Sequence, residues 1–490
     1  MVTITLTLGT LMQLLRSTMW AAVSFSAAWS AITAQAPAPA HSAVTPPSHA
    51  VLAARVDSLA AAFIADPQAP AVSISVIRAG RDTLVFKGYG VDDIEEGVTA
   101  TPATVYRIGS ITKQFTSAAV MRMVERGAVH LDDSVATYLT RLPEPWRRVT
   151  VRQLLNHTSG IPNYTDIGES WVRRWGEDMP PDTLVALTAH RPMDFAPGTR
   201  WKYDNTGYVL LGMLIEKVSG RPYAAYLDST LFRPLGLTGT SYCYAAPIIP
   251  HRAQGYARSG HTYVNAPYLN MSQPFSAGAL CSTVGDLARW NRALATGQVV
   301  TTASYRQMTT PEGAAARDHY GFGLVQDTLG GHAIIAHGGG INGFISYNAY
   351  LPDDSLSVTV LANAAPSNPD VLLRDVVRAT LGLPIVKRPF VEFRAPPAVP
   401  LPAKVRAAVA GTYVLKLPAR DLPIVIRSDS TGLTAEAAGQ SAIPLIYIGD
   451  NTFGAAIDPT LKMHFIIESA GRVRMEFTQR GASSEATRSP

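Results

Sequence analysis

Residues 384–403 read PIVKRPFVEFRAPPAVPLPA and carry six prolines. A proline ring fixes φ and removes the backbone N–H, so neither a helix nor a central strand runs through such a stretch. The chain is therefore cut into a long part and a short part, and each must bury its own core. Beyond the cut, TYVLKL, PIVIRS, GLTAEA, AIPLIYIG, NTFGAA, MHFIIE and RVRMEFTQ follow at roughly regular spacing, with no long helical run between them. That pattern predicts a small all-β barrel or meander over 404–482, with the polar tail 483–490 frayed beyond it.

The long part, 49–383, mixes the two periodicities. Residues 71–90, AVSISVIRAGRDTLVFKGYG, are two β-rich runs around a glycine turn and predict a hairpin. Ile111, Phe115, Ala118, Ala119, Met123 and Val124 recur at helical spacing, and Gly127 ends the run. Further helices are expected at 150–156, 205–218, 222–231, 283–295 and 367–381, and β-like runs at 320–326, 332–337, 343–351 and 356–362. Strands open this part, helices fill its middle, and strands with a last helix close it. The order predicts an α+β fold, an antiparallel sheet whose first and last strands meet, flanked by helices and joined to a mainly helical subdomain.

At the N-terminus Arg16 precedes an apolar stretch, 19–36, that ends in Ala34-Gln35-Ala36, a small-residue cleavage pattern. Residues 1–36 are expected to be a signal peptide and 37–48 a proline-rich spacer, which makes the protein exported, periplasmic or extracellular. No later run of about 18 apolar residues predicts a membrane span. The net charge is +5, but the arginines are scattered rather than gathered in a stripe, so nucleic acid is not an expected partner. The chain has two cysteines, Cys243 and Cys281. An exported pair favours a disulfide, and two buried thiols are the alternative.

Ser110 and Lys113, in RIGSITKQF, stand one turn apart at the head of the first long helix. A serine hydroxyl needs a base to become a nucleophile, and a buried lysine amine can serve. Backbone N–H groups at a helix start favour negative charge. Two fixed positions in four recur by chance, yet no other lysine here follows a serine by three residues. Tyr203-Asp204-Asn205 lies between a Pro-Gly turn and a helix start, where a phenol could move protons and an amide could hold a carbonyl; a capping asparagine beside a core tyrosine reads the same way. His337 leads a β-run into Gly338, Gly339 and Gly340, which let a ligand approach the backbone, as would a plain hairpin turn. The histidines show no H-E-x-x-H pattern, so no metal and no cofactor are expected.

S-x-x-K, then Y-x-N, then a strand ending in H-x-G resembles the signature order of the β-lactamase and penicillin-binding-protein serine hydrolases. The phrases LLNHTSGIP at 154–162, FAPGTRWKYDNTGYVLLG at 195–212 and AHGGGINGF at 336–344 resemble the class C β-lactamase-related branch, which includes esterases, D-amino-acid peptidases and DD-peptidases. The C-terminal β segment resembles a small lipocalin-like domain. The resemblance implies a serine hydrolase acting on a small molecule or short peptide, without a cofactor. Ser110 would be acylated, Lys113 would take its proton, and Tyr203 would assist proton transfer. Asn205 would orient Lys113 or the substrate amide. The N–H groups of Ser110 and Gly340 would hold the oxyanion. A slowly acylating peptide sensor is the competing reading. His337 stands where β-lactamases carry a lysine. It is expected neutral near pH 7, charging as the pH falls towards its unperturbed value of about 6.5 and then favouring carboxylated substrates. His157 is expected to serve the turn at 157–160.

Overall fold

The computed structural model describes residues 47–66, 68–259, 262–385, 399–416, 421–428, 432–437, 442–455, 458–468, 472–479 and 482–489. The expected signal peptide, most of the spacer and most of the proline-rich linker lie outside these residues. Among the described residues two compact units are present: 47–258 with 263–385, and those from 399 onward, to which Ser259 and Thr262 are also assigned.

In the first unit seven strands form one sheet: β1 (Ala71–Arg78), β2 (Asp82–Asp93), β3 (Val98–Thr99), β4 (Val325–Leu329), β5 (His332–Ile341), β6 (Phe344–Leu351) and β7 (Leu356–Ala362). Their spatial order is β3-β2-β1-β7-β6-β5-β4. The first and last long strands do meet, antiparallel, from Val72 opposite Ala362 to Arg78 opposite Leu356. Both faces of the central strands are buried. On one face Val72, Ile74, Val76, Val358 and Val360 pack with residues of two helices, α1 (His49–Ala65) and α5 (Pro369–Leu381). On the other face Ser73 and Ser75 are fully buried, Ser75 donating from Oγ to the Val284 carbonyl at 3.0 Å. There α4 (Val284–Ala295) sends Asn291 to Asn348 and Ser357, so the buried polar groups pair with one another.

The helical subdomain contains α2 (Thr112–Glu125) and α3 (Asn205–Ser219), with a short helix at Val151–Leu155. Every residue of α2 from Thr112 through Met121 is buried. The amphipathic pattern of its sequence therefore marks only part of what it buries, because α2 packs on other helices as well as on the sheet side.

Four expectations need correction. Residues 320–326 are not a strand until Val325: Gly321 closes a turn with Leu324, Gly323 takes φ +68°, and 320–324 are buried without a break instead of alternating. Helix 222–231 is α-helical only over Tyr223–Leu227, with a π turn at Asp228–Phe232. Helix α1, its N-terminus capped by the Ser48 hydroxyl, precedes the first strand, so this part opens on a helix rather than on strands.

The fourth concerns the C-terminus. The second unit is a closed barrel of eight strands: β8 (Gly411–Lys416), β9 (Asp421–Ser428), β10 (Leu433–Ala437), β11 (Ile443–Gly449), β12 (Thr452–Ala455), β13 (Asp458–Ile467), β14 (Val473–Gln479) and β15 (Ala482–Arg488). The segment expected to fray is β15, and it pairs with both β14 and β8. Without it two sheet edges would stand open, which accounts for so polar a strand being held. Tyr413, Leu415, Leu422, Ile424, Phe453 and Phe465 fill the interior. No helix among the described residues is long and apolar enough to cross a membrane.

Candidate active site

Three short strands set the nucleophile. Leu280–Ser282 pairs with Tyr106–Arg107 on one side and Ser241–Tyr242 on the other. The chain then turns through a 3-10 segment, Gly109–Ile111, directly into α2. Ser110 sits in that turn and is 7% exposed. Gly109 has φ +51°, and a Cβ there would lie 2.8 Å from the Gly340 nitrogen. A Cβ on Gly339 would lie 1.9 Å from the Ile108 carbonyl oxygen. Two glycines therefore let the turn rest on strand β5 without a side chain between them.

The register of β5 then places the Gly340 amide. Ile341 and Phe344 flank a two-residue turn and pair with each other. Alternation along an antiparallel ladder sends the N–H of Ile341 towards β6 and that of Gly340 to the other edge, the side where Gly109 lies.

Lys113 has no exposed surface. Its Nζ is 2.8 Å from Asn205 Oδ1, 2.8 Å from the Ala277 carbonyl oxygen and 3.1 Å from Ser110 Oγ. Burial holds its pKa well below the usual lysine value, with Asp204 opposing through its charge. A neutral amine has two hydrogens and one lone pair. The two carbonyl oxygens accept only, so they take both hydrogens and leave the lone pair for the Ser110 hydroxyl to donate into. That is the arrangement a general base requires.

Tyr203 lies beside this pair, with Lys113 Nζ 4.6 Å from its ring centre. Its buried hydroxyl makes no hydrogen bond of ordinary geometry. Burial raises its pKa, and the nearby Ser110 hydroxyl only partly offsets this, so Tyr203 rests as a phenol. Asp204, between Tyr203 and Asn205, is 3% exposed. Burial pushes its pKa up to about 7, although its Oδ2 accepts from Ser159 Oγ at 3.0 Å.

His337 is buried on β5, and burial followed by the charge of Lys113 pushes its pKa down to about 3. Both ring nitrogens are engaged, Nε2 with Tyr320 Oη at 2.9 Å and Nδ1 with the Gly338 carbonyl at 2.5 Å. The expectation that it charges near pH 6 is therefore overturned. Its environment is dry and its lone pair occupied, neither of which the motif reveals.

The structure thus brings Ser110, Lys113, Tyr203, Asn205, His337 and the backbone of Gly338, Gly339 and Gly340 to one place. Cys243 and Cys281 are buried free thiols, so the expected disulfide is not formed. Ser241 rather than Cys243 stands opposite Cys281 in the strand pairing, and Cys243 lies just beyond the strand's end. Cys281 Sγ instead donates to the Ser241 carbonyl at 3.8 Å; the neighbouring Cys281 thiol lowers the pKa of Cys243, while burial raises that of Cys281. His157 does serve the turn, at φ +61°. Its Nδ1 also accepts from the Asp204 N–H at 3.1 Å. The motifs missed Tyr320, whose signal was a tyrosine before two spaced glycines, and the Ala277 carbonyl, which has no side-chain signal at all.

An antiparallel sheet flanked by helices, with a serine, a buried lysine and a tyrosine gathered near the head of a helix, is the architecture of the β-lactamase fold. Over residues 56–383 the chain matches the family model described as Beta-lactamase, and it belongs to that family. A D-stereospecific amidohydrolase from Streptomyces sp. is 31% identical, with a TM-score of 0.58 over 68% of this chain and 98% of that one. A putative penicillin-binding protein, PbpX, of Bacillus subtilis (strain 168) is 28% identical over 289 residues, 59% of this chain and 69% of its own. A D-aminopeptidase of Gluconobacter oxydans (strain 621H) is 26% identical over 339 residues, 68% of this chain and 62% of its own.

Proposed function

We propose that the protein hydrolyses amides or esters of D-amino acids through an acyl-enzyme on Ser110. The observation that carries this reading is the placement of the buried Lys113 Nζ, 3.1 Å from Ser110 Oγ and 2.8 Å from each of two carbonyl oxygens that can take its hydrogens. Ser110 Oγ attacks the carbonyl carbon as its proton passes to Lys113. The oxyanion forms between the N–H groups of Ser110 and Gly340. The proton then reaches the leaving amine or alkoxide through Tyr203, whose hydroxyl is otherwise unpartnered. Water takes the reverse course to free the acid and restore the serine.

Substrate class follows from charge and from kinship. Lys113, Tyr203 and His337 are all shifted towards their neutral forms, so these groups offer no fixed cation for a carboxylate beside the scissile bond. A true β-lactam or D-Ala-D-Ala substrate carries such a carboxylate, whereas an amino-acid amide does not. The D-stereospecific amidohydrolase and the D-aminopeptidase among the relatives support the amide reading. Export belongs to the same proposal, on the strength of Arg16, the apolar stretch after it and the Ala34-Gln35-Ala36 pattern.

The test is covalent labelling with a fluorophosphonate and with a fluorescent penicillin, followed by turnover on a panel of D-amino-acid amides, esters and cephalosporins. Wild-type protein should label on Ser110 and turn over the neutral amides, and Ser110→Ala should fold without labelling. An adduct on another serine sinks the assignment. Stoichiometric labelling with no turnover on the panel favours the peptide-sensor reading.

A further inference from the structure

A chain of hydrogen bonds crosses from the helical subdomain to the sheet beside this site. It begins at the Asp204 N–H, which donates to His157 Nδ1 at 3.1 Å. His157 Nε2 meets Tyr320 Oη at 3.1 Å, and Tyr320 Oη meets His337 Nε2 at 2.9 Å. His337 Nδ1 ends the chain on the Gly338 carbonyl at 2.5 Å.

The two ends fix every proton between them. A backbone N–H only donates, so His157 Nδ1 is an acceptor and its Nε2 carries the hydrogen. A carbonyl only accepts, so His337 Nδ1 carries the hydrogen and its Nε2 is the acceptor. Tyr320 is the one group in the chain able to receive from the first ring and donate to the second. Tyr208 packs alongside but spends its own hydrogen on the Leu155 carbonyl at 2.8 Å.

The same three side chains enclose Tyr203. Its ring lies 4.4 Å from that of His157 and 6.3 Å from those of Tyr320 and His337. None of the three touches Ser110 through a hydrogen bond.

We propose that Tyr320 is a positioning residue: its hydroxyl couples His157 and His337 as opposite tautomers in one directed chain, and the wall they form fixes Tyr203 over Lys113. The part concerning Tyr203 rests on the function proposed above; the tautomer pair does not. Both imidazoles face Lys113, Tyr203 and Tyr320, and His157 also faces Tyr208. Burial disfavours the protonated ring in each.

The experiment is long-range ¹⁵N–¹H NMR of the histidine-labelled full chain, with His157→Gln and His337→Gln used to assign the two rings. Wild-type protein should show His157 protonated at Nε2 and His337 at Nδ1, with neither ring titrating between about pH 5.5 and 8.5. Tyr320→Phe keeps the ring and removes the hydroxyl. It should shift the His157 Nε2–H and His337 Nε2 signals and lower kcat about ten-fold with little change in KM, the worth of a buried hydrogen bond in positioning. The same tautomer in both rings, or a His337 titration inside that window, overturns the chain even if Tyr320→Phe fails to fold. A folded Tyr320→Phe variant with wild-type kcat overturns the positioning role. A protein with the expected tautomers and no acylation of Ser110 refutes the proposed function and leaves the chain standing.

Discussion

Asn205 turns its Oδ1 to Lys113 Nζ at 2.8 Å and its Nδ2 to Thr165 Oγ1 at 3.3 Å. The amide thus presents an acceptor without a charge to the base. Asn205→Asp would put an anion at the same spot and favour the ammonium form. At pH 7 the acylation rate should fall on the order of 10²-fold, the usual worth of a general base, and recover as the pH rises. Label incorporation against pH measures this. A wild-type rate at pH 7 would mean that Lys113 is not the base.

Asp204 acts on the same amine from further away, its negative charge raising the Lys113 pKa. Asp204→Asn removes that charge while keeping the side-chain shape. Lys113 should then stay neutral to lower pH, and the acid limb of the kcat/KM profile should move down. A limb that moves up, or stays where it was in a folded variant, contradicts the assignment.

His337 has a pKa of about 3 in the folded chain against about 6.5 unfolded. Between those values the unfolded chain binds a proton that the folded chain refuses. Its contribution to stability is therefore present above pH 6.5 and lost as the pH falls towards 3. Tm should drop across this window, and less steeply in His337→Gln. The ratio of kcat/KM for a neutral ester and its carboxylated analogue should stay flat from pH 6 to 8, which a titrating His337 would bend.

Gly339→Ala would drive a methyl against the Ile108 carbonyl oxygen. Overpacking of this kind costs roughly 1–3 kcal/mol. The strain falls on the turn that carries Ser110, so acylation should weaken along with the melting temperature. Gly338→Ala meets the Tyr347 side chain at 3.2 Å instead and should be milder in activity than in stability.

Much of the sheet was legible because hydrophobic periodicity and turn residues are local signals. The hairpin at 71–90, the run at 356–362 and helix α3 all fall where their patterns place them. Tyr320–Leu324 misled because an apolar run beside the site is buried by function-bearing neighbours rather than by sheet pairing. The C-terminal strand was missed because pairing on both sides, not its polar sequence, holds it. Ser110, Lys113, Tyr203 and Asn205 were legible as a motif order. The charge state of His337 was not, because it depends on burial, which is not encoded beside it.

The contact between Gly339 and Ile108 also bears on how this site could be redesigned. Nucleophile and strand share one surface, so variation at that wall is closed to larger side chains. The base is also reached from the helical side, by the 3-10 segment Tyr164–Ile167 through Thr165 and Asn205 and by the short helix Phe275–Gly278 through the Ala277 carbonyl. A library aimed at new acyl groups would therefore leave positions 109 and 338–340 fixed and draw its diversity from the helical side.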